Sequence, residues 1–295
     1  MSQEIQQCSK RVEIKSIMSR LSFLIQSYCK QPQYWFKNVT LRRLRTRSGL
    51  KILFVVGAPR SGTTLLHSLL GAHSQCFTVQ YETGLFTWQN LYDHARLGLT
   101  LDQTHSRLNR ASDIVKFLET FVCELDDYNS DHYFIEKTPQ HVNHIGKLKR
   151  HFPEALFIHV HRDVRDCYLS ACDVDGMSYF HNAERYAKYW NRCVTNGLKY
   201  KESDFLYTLA YEDFVSSPLA SLQEIMDFLG LSYEQNQLNP DVYGADRRST
   251  RKHFSRLNEP ISSKSVGRWQ GVLKPTERDR IESISSSVLS RLGYL

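Results

Sequence analysis

The apolar positions of this chain fall into short continuous runs separated by helical stripes. Residues 51–56, Lys-Ile-Leu-Phe-Val-Val, form a β-branched and aromatic run that predicts a buried parallel strand. A Gly-Ala-Pro-Arg-Ser-Gly turn follows, and Leu65, Leu66, Leu69 and Leu70 then share one helical face. A second unit sits near the middle. Lys147 to His151 close a helix, Phe152-Pro153 breaks it, and residues 156–161 read as a strand, with a helix beginning around Val164. A third strand is predicted at 205–211. It leads through Glu212-Asp213-Phe214 to a helix at 219–229 that stops at Gly230. The last helix, 276–292, aligns Ile281, Ile284, Val288 and Leu292, with Gly293 as its stop. Strands alternating with helices predict an α/β fold of three layers, a parallel sheet with helices on both faces.

Before the first strand, Ile14, Ile17, Met18, Leu21, Leu24, Ile25 and Tyr28 stand at helical spacing, which predicts an amphipathic helix over 14–28. The basic run Leu41-Arg42-Arg43-Leu44-Arg45-Thr46-Arg47 after it reads as a solvated linker, the other reading being contact with an anionic acceptor or membrane surface. The division expected is therefore 1–48 for this helix and linker and 49–295 for one folded domain. The chain has 295 residues, 41% hydrophobic, which suffices for one sizeable core. The net charge of +7 suits an anionic partner without choosing among a nucleotide, a glycan and a nucleic acid. Basic residues are dispersed and no nucleic-acid reading module is present, so no nucleic-acid partner is expected. The seven cysteines include no CxxC pair, which predicts buried thiols rather than a disulfide framework or zinc knuckle. No secretory segment or membrane span is visible, and a cytoplasmic location is expected.

Gly57-Ala58-Pro59-Arg60-Ser61-Gly62-Thr63-Thr64 has the GxxxxG frame of a phosphate-binding loop between a strand and a helix. Glycines let the backbone curl around an anion, and the following helix presents its positive end. Thr63 stands where a Walker A loop carries lysine, and a cation appears at Arg60 instead. The loop therefore suits a diphosphate-like anion without a terminal phosphate to grip, and it gives no reason to expect magnesium. A second anion site is predicted at His161-Arg162-Asp163-Val164-Arg165-Asp166, directly after the middle strand, with Ser170 about two helical turns beyond Arg162. Arg162 has a second reading, pairing with Asp166 on the helix surface, and Arg165 reads as a surface charge.

At these residues the sequence resembles the sulfotransferase family. Pro-Arg-Ser-Gly-Thr-Thr after a hydrophobic strand is similar to that family's 5′-phosphosulfate loop, which implies that Arg60, Ser61, Gly62, Thr63 and Thr64 cradle a 5′-phosphosulfate. Arg162 and Ser170 resemble the family's 3′-phosphate site. Leu209-Ala210-Tyr211-Glu212-Asp213-Phe214 resembles a strand end where the tyrosine lies near the nucleotide. Ser265-Val266-Gly267-Arg268-Trp269 resembles the late loop over the cofactor, so Trp269 or Tyr211 packs on the nucleotide or belongs to the core. The resemblance spans residues 51 to 293. It implies a fold like that of P-loop-containing nucleotide hydrolases. The cofactor it implies is 3′-phosphoadenosine 5′-phosphosulfate, with 3′-phosphoadenosine 5′-phosphate (PAP) as product, and no metal.

In-line sulfuryl transfer needs a base for the acceptor's proton, a cation at the leaving oxygen and donors on the equatorial oxygens. The resemblance, nearest to the bacterial and protein-tyrosine branch, implies Glu82 of Gln80-Tyr81-Glu82-Thr83 as the base and Lys137 of Glu136-Lys137-Thr138-Pro139 as the cation. Glu82 also reads as a capping carboxylate and Lys137 as a salt-bridge partner. His141 is the reserve base, by analogy with cytosolic relatives. Gly84 and Leu85 follow Thr83 where the tyrosine-sulfating branch carries an arginine, which argues against a tyrosyl peptide acceptor. The aromatic stretch with Tyr179, Phe180, Tyr186, Tyr189 and Trp190 is expected either to line an acceptor cleft or to pack as a helix. The acceptor carries a hydroxyl or amine and is otherwise open. The competing enzyme reading, a P-loop nucleotide-dependent kinase, predicts the Walker lysine that is missing.

Overall fold

The computed structural model describes residues 36–295 except 38, 80, 88–90, 92–96, 175, 245–256 and 258. The helix expected at 14–28 lies outside the described residues, as do Cys8 and Cys29. Five parallel strands form one sheet in the order β2-β3-β1-β4-β5: β1 Ile52–Gly57, β2 Cys76–Thr78, β3 Tyr133–Lys137, β4 Leu156–His161 and β5 Leu206–Ala210. The helices are α1 Thr63–Gly71, α2 Leu101–Arg110, α3 Ile114–Cys123, α4 Ile145–His151, α5 Val164–Cys172, α6 Ala183–Leu198, α7 Tyr211–Ser216, α8 Pro218–Leu229, α9 Pro240–Tyr243 and α10 Pro275–Arg291. No helix among the described residues is long and apolar enough to cross a membrane.

The alternation of β1 explains the three layers. Ile52, Phe54 and Val56 face a core that includes Phe117 and Phe121 of α3, Leu148 of α4, Trp190 of α6 and Ile281 of α10. Leu53 and Val55 face a second core with Leu66, Leu69 and Leu70 of α1 and Leu222, Ile225 and Met226 of α8. Both faces of the strand are buried, which is why its sequence reads as a continuous apolar run. The predicted strands at 51–56, 156–161 and 205–211 correspond to β1, β4 and β5. The short β2 and the charged end of β3 escaped the pattern.

All strands run the same way, so every loop that leaves a carboxyl end emerges on one edge. β1 pairs with β3 on one side and β4 on the other, the chain crossing over β1 between them. A crevice at such a switch point is where open α/β sheets bind ligands.

The basic segment expected to be a solvated linker is instead a strap. Leu41 is buried, and its carbonyl accepts from Ile114 N–H at 2.9 Å. The Asp113 carboxylate caps α3 through Lys116 N–H and also accepts from Arg45 N–H at 2.6 Å and Thr46 N–H at 2.8 Å. Arg42 donates to the carbonyls of Leu85, at 3.3 Å, and Thr87. One buried carboxylate thus fastens two stretches that sequence spacing keeps far apart. Among the described cysteines all are free; Cys76, Cys167 and Cys193 are buried as expected, but Cys123 is exposed.

Candidate functional site

The loop after β1 is shaped by its backbone. Arg60 has φ +72° and Gly62 φ +97°, both in the left-handed region. At Gly62 only glycine fits, since a Cβ would sit 2.3 Å from Cδ2 of Tyr211. Gly57 is equally constrained, because a Cβ there would meet the Val160 carbonyl at 2.3 Å. The loop's carbonyls are engaged behind it: Ala58 O accepts from Ser61 Oγ at 2.7 Å, and Pro59 O from Tyr186 Oη at 2.5 Å. That arrangement leaves the backbone N–H groups at the start of α1 for an anion. Ser61 is fully buried with its hydroxyl turned inward, while Arg60, Gly62, Thr63 and Thr64 line a cleft of about 440 Å3.

The expected second site opens onto the same cleft. Arg60 Nε donates to Ser170 Oγ at 3.1 Å, so the loop cation and the hydroxyl on α5 already meet. Burial lowers the Arg60 pKa, the mark of a cation short of solvent. Arg162 is buried at the end of β4, its guanidinium 4.4 Å from the Tyr211 ring centre, and it donates to the Ser265 carbonyl. Asp166 stands 3.9 Å away, so the surface pairing considered from sequence is present but loose. Arg162 Nε is buried and has no hydrogen-bond partner among the described residues. A buried, unsatisfied cationic donor beside Ser170, Tyr211 and Ser265 fits a phosphate group.

Arg165 is not a surface charge. It is buried, bonded to Asp163 at 2.7 Å, to Glu282 of α10 at 2.7 Å and to the Tyr294 carbonyl at 2.9 Å. Its guanidinium lies 3.9 Å from the Trp269 ring centre. Trp269 is therefore held by Arg165, and of the two it is Tyr211 that lines the cleft. The late loop is tied down by Asp166, whose carboxylate accepts from Gly267 N–H at 2.7 Å and Trp269 N–H at 2.9 Å. In the same loop Arg268 pairs with Asp173 at 3.0 Å, and Val266 is exposed.

Glu82 lies beyond the carboxyl end of β2 and lines the cleft, 35% exposed, with Lys137 Nζ at 2.8 Å from its Oε1. Lys137 ends β3 and is buried. His141 lies behind them. Its ring is fully buried, Nδ1 is 2.9 Å from Glu136 Oε2, and Nε2 accepts from Phe86 N–H at 3.3 Å. That acceptor role places the proton on Nδ1 and leaves no free lone pair facing the cleft. The cleft is also lined by Pro139, Gln140, Met177, Tyr179, Phe180 and Leu257. Tyr186 and Trp190 pack in the core, so the aromatic stretch divides between the two expected uses. Pro139, Gln140, Met177 and Leu257 were not foreseen from the sequence; proximity to Lys137 would have signalled only the first two.

Two arginines and a glutamate–lysine pair thus meet on one cleft at the edge of the α/β sheet. The sulfotransferase-family profile matches residues 53–235, more than half of the chain, and the chain belongs to the sulfotransferase family. It is 22% identical over 266 residues to protein-tyrosine sulfotransferase 1 of Danio rerio, covering 83% of this chain and 72% of that one. It is 24% identical over 259 residues to a putative protein-tyrosine sulfotransferase of Caenorhabditis briggsae, covering 83% and 89%. Among solved structures, the sulfotransferase domain of the Synechococcus PCC 7002 olefin synthase superposes with a TM-score of 0.62 at 20% identity, over 82% of this chain and 96% of that one. Retinol dehydratase in complex with androsterone and inactive cofactor PAP superposes with a TM-score of 0.51 at 14% identity, over 87% and 85%.

Proposed function

We propose that this sulfotransferase moves a sulfuryl group from 3′-phosphoadenosine 5′-phosphosulfate to an acceptor hydroxyl or amine, with Glu82 as general base. The observation that carries the reading is the convergence of Arg60, Arg162 and the Glu82–Lys137 pair on one cleft. The start of α1, with Thr63, Thr64 and Arg60, would hold the 5′ end. Arg162, Ser170 and Ser265 would hold the 3′-phosphate, against Tyr211. The PAP bound by structural neighbours supports the same choice of nucleotide. The bound donor supplies an activated sulfuryl group on a phosphate leaving group.

The chain's own residues do the rest. Glu82 accepts the acceptor's proton, and its half-exposed position on the cleft wall suits that task. Lys137, paired with Glu82, provides the cation beside the departing phosphate. His141 serves as support behind the pair. The apolar residues of the cleft lining, Pro139, Met177, Tyr179 and Phe180, favour an acceptor that carries its hydroxyl on an apolar body.

Calorimetry on wild type and Arg162→Ala, with PAP and with ATP–magnesium, tests the donor site. Wild type is expected to prefer PAP, and the substitution to remove about two orders of magnitude of that preference, the value of a charge-assisted contact left unmade. Equal or tighter binding of ATP–magnesium would return the chain to the kinase reading.

A further inference from the structure

Directly behind the Glu82–Lys137 pair sits a carboxylate that touches neither the cleft nor solvent. Glu136 is fully buried on β3. Its Oε1 accepts from Thr83 Oγ1 at 2.7 Å and from Thr138 Oγ1 at 2.6 Å, and its Oε2 bonds His141 Nδ1 at 2.9 Å. Thr83 is the residue after Glu82, and Thr138 is the residue after Lys137. Two further bonds cross between the same segments: Gly84 N–H donates to Thr138 Oγ1 at 3.1 Å, and Phe86 N–H to His141 Nε2 at 3.3 Å. β2 is three residues long and ends before Glu82, and Arg42 holds only the far end of the turn, through the Leu85 and Thr87 carbonyls.

We propose that Glu136 is a positioning residue: through Thr83, Thr138 and His141 it locks the turn carrying Glu82 to the strand end carrying Lys137, and so sets the pair's spacing. Three donors are spent on it, which is what a buried carboxylate requires. Burial opposes its charge, and the His141 ring and the two threonine hydroxyls overcome that and hold its carboxyl below the usual range. Both hydroxyls converge on one oxygen, so a shift of either segment by a fraction of an ångström breaks a bond to a buried anion. An ordinary packing contact would tolerate that shift; this one does not.

The role rests on the assignment of Glu82 and Lys137 as a working pair, but its test does not need an acceptor. The charged groups facing Glu82 among the described residues are Lys137 from β3 and Arg60 from the loop after β1. Crystal structures of Glu136→Gln, Thr83→Val and Thr138→Val, compared with wild type and with Thr83→Ser, read the spacing directly. When the clamp loosens, the Glu82–Lys137 bond, 2.8 Å in wild type, opens beyond about 4 Å. Thr83→Ser keeps the hydroxyl and stays at the wild-type spacing. PAP binding, proposed to rest on Arg60 and Arg162, persists in every variant. An unmoved Glu82–Lys137 bond in folded Thr83→Val and Thr138→Val overturns the proposal, whatever becomes of Glu136→Gln. Failure of wild type to bind PAP would instead sink the donor assignment and leave the spacing result standing.

Discussion

The two sides of the cleft proposed to hold the nucleotide's anionic ends are built on opposite plans. The loop after β1 is made by backbone shape: two left-handed residues, carbonyls turned away and held by hydroxyls, and one bond between side chains, from Arg60 to Ser170. The site after β4 is made by side chains wired to one another. Arg165 joins Asp163, Glu282, Tyr294 and Trp269, while Asp166 ties down Gly267 and Trp269. A backbone-built site depends on a few conformations that only certain residues adopt. A side-chain-built site depends on mutual satisfaction, so any member's loss strands the others.

That contrast is most easily broken at Arg165. Arg165→Ala leaves the buried Asp163 carboxylate without its cation and is expected to cost about 3–5 kcal/mol, or roughly 6–15 °C in thermal unfolding. A loss under about 1 kcal/mol would mean the wiring is decoration. On the other side, Gly62→Ala should leave the fold standing and weaken PAP binding in calorimetry by about tenfold or more, from backbone strain of order 1–3 kcal/mol and collision with Tyr211. Wild-type affinity in that variant would show that the loop is not shaped by its backbone.

The smallest effect sharpens the picture from beneath. Burial pushes the pKa of His159 on β4 down to about 3 and that of His161 down to about 4. In the unfolded chain each ring takes up a proton near pH 6.5, whereas the folded chain resists it. The stability from holding these rings neutral is therefore complete above about pH 6.5 and is lost as pH falls toward 3 to 4. His159→Phe removes one such proton, so urea unfolding between pH 6 and 4 should lose about 1.4 kcal/mol of slope per pH unit. An unchanged slope would show that His159 titrates normally.

How far the sequence reveals each side follows from the same contrast. The loop after β1 is legible because its glycines, Arg60 and Thr63 are neighbours in the chain and sit between an unbroken apolar run and a helical stripe. β4 and β5 are legible for the same reason. β3 was not read as a strand because its last residues are Glu136 and Lys137, which become buried only through partners on other segments, Thr83 among them. Arg165 read as a surface charge because nothing local announces that Glu282 and Tyr294 return to it. The strap from Leu41 to Ser48 read as linker because Asp113, which captures it, lies on a distant turn. Periodicity reports burial against the sheet; it carries no record of which charge meets which.

Tyr211 belongs to both halves at once. One edge of its ring closes on Gly62, and its face receives the Arg162 guanidinium at 4.4 Å. The gap between the two walls is therefore gauged by one phenol ring rather than by loop length. A ligand whose anionic ends must reach both walls meets a fixed caliper, and lengthening either loop would leave that caliper's jaws where they are.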